Sequence, residues 1–313
     1  MKLKDLKVVF MGTPEFSVPV LNMLIKETNV IGVVTQPDKE VGRDKEIKYS
    51  PVKNVAIKEN IKVLQPVKIR NENEDILALK PDIIITCAYG QIIPTTILDY
   101  PEYGCINVHA SLLPYLRGGA PIHKAIIDGY DKTGITIMYM DPKMDNGNII
   151  SQSEIPILDS DNVGTLHDKL SDLGVKLLKE TLPSIIKKTN KSIKQDEKLI
   201  TFAYNITRDD EHINFNKTAK EVFNHIRGLN PWPVGYVILD NKIVKLYNSY
   251  IGEFTSDNIV GSINHIYENG IGVACLDKEI IITEIKFEGK KKMSVKDYLN
   301  GIDKDSLIGR RFN

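Results

Sequence analysis

The sequence predicts an α/β protein: a doubly wound, mostly parallel, Rossmann-like sheet followed by a smaller C-terminal β-barrel of OB-like type. Apolar strand-like runs alternate with helical stretches through the first part of the chain, the order that builds a parallel sheet with helices on both faces. From about residue 207 the texture changes to short alternating runs with close turns, as a small antiparallel barrel requires. A length of 313 residues is enough for two independent cores. The expected division is a catalytic domain over 1–189, a polar linker over 190–206 and a second domain over 207–313.

In chain order, 8–11 is a buried strand, 16–26 a helix that tolerates Pro14 and Pro19 near its start, and 30–35 a second strand. The turn Gly12-Thr13-Pro14-Glu15-Phe16 has only one glycine of a dinucleotide loop and an acid where a phosphate would come, so it is not read as a nucleotide site. Residues 36–48 are charged and without apolar period, which predicts an exposed loop. A solvated connection is its plain reading, and long loops also often carry function. A helix over 51–59, a strand over 61–64, a helix over 73–79 and a strand over 82–86 continue the alternation. Ala88 to Pro94 leaves that strand at the sheet edge where the next one also ends.

That next strand, 105–109, is the most informative stretch. Alternate side chains of a strand share a face, so Asn107 and His109 point the same way. The run then breaks through Ser111, Leu112, Leu113 and Pro114 before a helix over 120–128, a strand–loop–helix crossing at the end of the sheet where ligands bind. An amide can stabilise charge developing on a carbonyl oxygen, and an imidazole moves protons near neutral pH, a combination suited to acyl transfer. Ser111 lacks the Gly-x-Ser-x-Gly elbow of a nucleophile, which favours direct attack by the acceptor's amine. Strands over 134–140 and 148–155 enclose a turn-rich loop, Asp141 to Gly147, where Asp141 and Asp145 are rival carboxylates. A helix over 163–187 closes the first domain, and the lysine-rich stretch 187–198 reads as a solvated linker.

A hydrophobic fraction of 42% and a charged fraction of 26% exclude disorder or fibre as overall descriptions. The 41 basic and 41 acidic residues cancel, so any nucleic-acid binding must rest on local patches. Cys87, Cys105 and Cys275 are far apart and read as buried thiols, and the histidines show no metal-ligand spacing, so no metal is expected. The short apolar run at 8–11 is no signal sequence and no stretch approaches a membrane span, which makes a cytoplasmic protein the expectation. In the second domain a helix over 218–227 and Asn230-Pro231-Trp232-Pro233 precede strand-like runs at 236–239, 242–250, 261–267, 270–275 and 279–287. Lys286, Lys290, Lys291 and Lys292 are either a nucleic-acid patch or a charged edge that blocks aggregation.

The run Asn107-x-His109-x-Ser111-Leu112-Leu113-Pro114, with Arg117-Gly118-Gly119-Ala120-Pro121-Ile122 and Asp141 to Gly147 behind it, resembles the folate-dependent formyltransferases. Within them it is most similar to the members that formylate methionyl-tRNA. The resemblance implies a formyl donor, 10-formyltetrahydrofolate, as co-substrate, and initiator methionyl-tRNA as acceptor. It implies a catalytic trio of Asn107, His109 and Asp145, and a folate site lined by Ser111, Leu112, Leu113 and Pro114. It places Arg43 in an insertion loop that reaches toward the acceptor stem, and the C-terminal barrel in a tRNA-facing role. A monomer is expected. Two other readings stand beside it: formylation of a small amine such as glycinamide ribonucleotide or an amino sugar, and a non-catalytic tRNA-binding module. The absence of a phosphate loop at Gly12 and the OB-like domain weigh against the first, the complete trio against the second.

Overall fold

β1 (Lys7–Gly12), α1 (Val18–Glu27) and β2 (Asn29–Val34) start the expected alternation in the computed structural model, which describes residues 2–41, 46–255 and 259–313. A hairpin follows, β3 (Lys39–Val41) and β4 (Glu46–Lys48), and then α2 (Pro51–Lys58), β5 (Val63–Leu64), α3 (Glu74–Ala78) and β6 (Ile83–Cys87). The order continues with α4 (Thr95–Leu98), β7 (Cys105–His109), α5 (Pro121–Ile127), β8 (Lys132–Tyr139), β9 (Ile149–Pro156) and α6 (Val163–Ile186). The sheet has seven strands in the order β5-β2-β1-β6-β7-β8-β9. Pairings from β5 through β7 are parallel, and β8 is antiparallel to β7. Nearly every residue of β1 and β6 is buried, because a central parallel strand is covered on both faces, and that is why these strands are nearly continuous apolar runs. The chain moves outward from β1 to β2 and β5, then returns on the other side as β6 and β7. The order therefore reverses between β1 and β6, the place where open α/β sheets take ligands at their carboxyl ends.

The stretch 36–48, expected to be irregular, contains the β3–β4 hairpin, with Glu40 opposite Ile47. Its pattern was silent because neither face is buried: Ile47 is exposed, and backbone pairing alone leaves no hydrophobic period to read.

The described chain divides into two compact units. One holds the residues up to Pro121, Thr133–Ile155 and His167–Tyr204; the other holds Ile122–Lys132, Pro156–Leu166 and Asn205–Asn313. In the second, α7 (Ala219–Gly228) begins with a capping box, Thr218 and Glu221 each accepting a hydrogen bond from the other's backbone N–H. There follow β10 (Tyr236–Leu239), β11 (Lys242–Thr255), β12 (Ile263–Ile266), β13 (Ile271–Ala274), β14 (Lys278–Phe287), β15 (Met293–Ser294) and α8 (Val295–Leu299). The sheet runs β10-β11-β14-β13-β12, all antiparallel, with β15 on β14. Bulges along β11 let it run to Thr255, past the Tyr250 at which the sequence pattern stops.

The two end strands of this sheet are joined by residues 309–313. Phe312 N–H donates to the Gly261 carbonyl at 2.9 Å and Ile263 N–H to the Arg310 carbonyl at 2.8 Å, while Ile238 and Asn313 exchange bonds of 2.7 and 2.9 Å. Phe312 turns inward and stacks on Phe215 at 6.0 Å. All three cysteines are free and buried, and burial pushes each thiol up to about 12. Among the described residues, no helix is long and apolar enough to cross a membrane.

Candidate active site

Asn107 and His109 stand on one face at the carboxyl end of β7, and neighbouring strands orient both. Thr86, the register partner of Asn107 on β6, donates its hydroxyl to Asn107 Oδ1 at 2.8 Å. With its oxygen engaged, the amide keeps its NH2 group as the outward donor. His109 is only 6% exposed, and its Nε2 lies 3.1 Å from the Leu116 carbonyl. A carbonyl can only accept, so Nε2 carries a hydrogen. The other ring nitrogen, Nδ1, faces Asp145 Oδ1 at 3.6 Å, longer than a hydrogen bond. The ring is thus held from one side by a backbone carbonyl and faces a carboxylate on the other.

The turn after β7 is pinned by Thr136, which lies opposite His109 on β8. Its hydroxyl donates to the Ser111 carbonyl at 2.6 Å and accepts from Leu113 N–H at 3.1 Å and from Gln152 Nε2 at 2.8 Å. Ser111 is fully buried and donates its own hydroxyl to the Tyr115 carbonyl at 2.6 Å, so it presents no nucleophile. Leu113 is buried too, whereas Leu112 and Pro114 keep part of their surface open.

Asp145 adopts a positive φ of 49°, a conformation Asp tolerates better than most residues. Its Oδ2 accepts from Gly118 N–H at 2.8 Å, which leaves Oδ1 toward His109. The rival Asp141 is occupied elsewhere, accepting from Asn146 Nδ2 and from Lys143 N–H. Beneath the loop, the buried guanidinium of Arg117 donates to Gln195 Oε1 at 2.7 and 3.1 Å and to Asn146 Oδ1 at 3.0 Å. Gln195 Nε2 in turn donates to the carbonyls of Asp145 and Gly147, each at 2.8 Å. Burial holds the Arg117 pKa below its ordinary value, against the opposing pull of Asp145 and Asp141. Gly147 has to be glycine here, since a Cβ would come within 1.8 Å of the Tyr139 carbonyl oxygen.

Gly118 is constrained in the same way. Its φ is 124° and a Cβ would meet the Ala203 carbonyl oxygen at 2.5 Å, because residues 201–203 run alongside 116–120. Gly118→Ala is expected to destabilise the protein by about 1–3 kcal/mol through backbone strain and to slow turnover, since the Gly118 amide holds Asp145. Thermal melts and initial rates check this, and wild-type values of both would show that the loop does not need this backbone.

Several of these residues carry little signal in the sequence. Gln195 falls in the stretch read as a solvated linker, yet it is buried and holds the loop; a polar hub and a polar linker have the same composition. Thr86 and Thr136 show only as lone hydroxyls in apolar strands. Arg43 lies outside the described residues.

Residues 6–182 match the family model described as formyl transferase, and 205–303 the one described as formyl transferase, C-terminal domain. A protein of Staphylococcus epidermidis named methionyl-tRNA formyltransferase is 53% identical over 307 residues, covering 97% of this chain and 98% of its own. One of Staphylococcus aureus with the same name is 52% identical over 308 residues, covering 97% and 99%. Among solved structures, an N-formyltransferase from Helicobacter canadensis, in complex with folinic acid and dTDP-3-aminofucose, superposes with a TM-score of 0.67 at 23% identity, over 88% of this chain and 98% of its own. That last likeness is one of fold.

Proposed function

We propose, for a chain that belongs to the formyltransferase family and within it to the methionyl-tRNA formyltransferases, that Asn107, His109 and Asp145 carry out the transfer. The reaction moves the formyl group of 10-formyltetrahydrofolate to the α-amine of initiator methionyl-tRNA. The amine nitrogen attacks the formyl carbon, the carbonyl π electrons move onto oxygen, and the Asn107 NH2 group donates to that oxygen. His109 takes the amine's proton at Nδ1, where Asp145 stabilises the imidazolium. The oxyanion re-forms the carbonyl as the bond to N10 of the folate breaks, and the proton held by His109 passes to that nitrogen, releasing tetrahydrofolate.

The observation that carries this reading is the placement of His109 Nδ1 3.6 Å from Asp145 Oδ1, one alternate strand position from Asn107. Of the segment 111–114, Leu112 and Pro114 offer the folate apolar surface, while Ser111 and Leu113 set the turn's shape. The enzyme is proposed to work as a cytoplasmic monomer, supported by one chain supplying the whole trio.

Incubation with labelled 10-formyltetrahydrofolate and either charged initiator tRNA or small amines tests the function. Label must appear on the tRNA-linked methionine; transfer confined to a free amine would sink the assignment. Arg43 sharpens the test, because an Arg forks onto phosphate or a base edge in a way Lys cannot copy. Arg43→Ala is expected to lower the rate with charged tRNA sharply and Arg43→Lys to recover part of it, with the folate Michaelis constant unchanged. The advantage of the wild type should shrink as salt rises. A change confined to the folate constant would assign the loop to the folate instead.

A further inference from the structure

Phe202 and Tyr204 are 48% and 65% exposed, while Ala203 between them is fully buried. This is the alternation of an extended segment with one face inward. Their rings stack on one another, parallel within 6° with centroids 5.6 Å apart, so the segment carries a two-ring stack partly open to solvent. Each exposed ring keeps apolar area in water that a stacked base would cover.

The segment that bears them is tied to the active-site turn. Leu116 N–H donates to Thr201 Oγ1 at 2.9 Å, Arg117 N–H to the Thr201 carbonyl at 2.9 Å, and Ala203 N–H to the Arg117 carbonyl at 2.7 Å. Leu116 supplies the carbonyl that holds His109, and Gly118 the amide that holds Asp145. The platform is therefore fixed to the same backbone that orients both catalytic side chains.

We propose that Phe202 and Tyr204 form a stacking platform for the 3′-terminal nucleobase of the acceptor tRNA. This rests on the function proposed above. The methionine whose amine must reach His109 is esterified to the terminal ribose, so the base on that ribose arrives together with the amine, within one amino-acid length of the trio. A single-stranded terminal base offers its π-face whatever its identity, and two parallel rings extend its stack without needing hydrogen-bond readout. The pair is a positioning device: it sets where the ester-linked amine falls relative to the formyl carbon.

The test uses the full chain and charged initiator tRNA. Phe202→Leu and Tyr204→Leu are each expected to reduce kcat/KM for the tRNA about tenfold, the scale of one lost base stack, mostly through KM. Phe202→Tyr and Tyr204→Phe should restore it, and the folate Michaelis constant should not move in any variant. With 2-aminopurine replacing the terminal adenine, the wild type should quench its fluorescence on binding and the double leucine variant should not. Unchanged tRNA kinetics in the double variant, with a wild type that formylates tRNA normally, would overturn the platform and leave the function standing. No quenching by the wild type would overturn it equally. Absence of tRNA formylation by the wild type would remove the function and the platform together. Loss in the leucine variants without rescue by the aromatic exchanges would show a structural role for the segment and reject stacking.

Discussion

His109→Ala is expected to lower kcat for formyl transfer by about 10²–10⁴-fold, the range of a positioned general acid or base, in a protein that still folds. The imidazole shares a strand face with Asn107 and stands against a carboxylate, and without it the attacking amine must lose its proton to water. Removing the ring leaves the Leu116 carbonyl without its donor, at a cost of about 1–3 kcal/mol for an unsatisfied buried group. A melting curve shifted modestly alongside a collapsed kcat is the expected pairing. Turnover near that of the wild type would remove His109 from the mechanism.

The second large effect is expected at Asn107. Loss of one oxyanion donor costs about 10²–10³ in kcat, so Asn107→Ala should retain folate binding and lose turnover. Thr86 makes the reading specific. Its hydroxyl fixes which end of the amide faces outward, so Thr86→Val should bring a smaller loss at an unaltered folate Michaelis constant. Rates of formylation measured at saturating folate separate these cases. If Asn107→Ala raised the folate Michaelis constant and left kcat intact, the amide would be a binding group and the oxyanion would need another donor.

How far the sequence carries depends on which residues are asked. The parallel sheet could be read because burial on both faces writes itself as unbroken apolar runs such as 8–11 and 83–85. Asn107 and His109 were readable for the opposite reason, as polar residues two apart inside such a run. Asp145 could not be separated from Asp141 by composition, because the choice is made by a positive φ and by the distant Gly118 amide. Gln195 was hidden completely: its partners Arg117, Asp145 and Gly147 come from remote segments. The segment 309–313 was hidden too, since it pairs one residue at a time.

That segment also decides how the C-terminal unit behaves toward other chains. A strand at the border of a sheet carries a row of open amides and carbonyls, a template on which a second chain can add. Here the borders β10 and β12 are both engaged by the same few residues, at Ile238 and at Ile263, which interrupts the open row on each. Trimming 309–313 would open both borders at once and withdraw Phe312 from the core, converting a self-contained domain into one prone to strand exchange and aggregation.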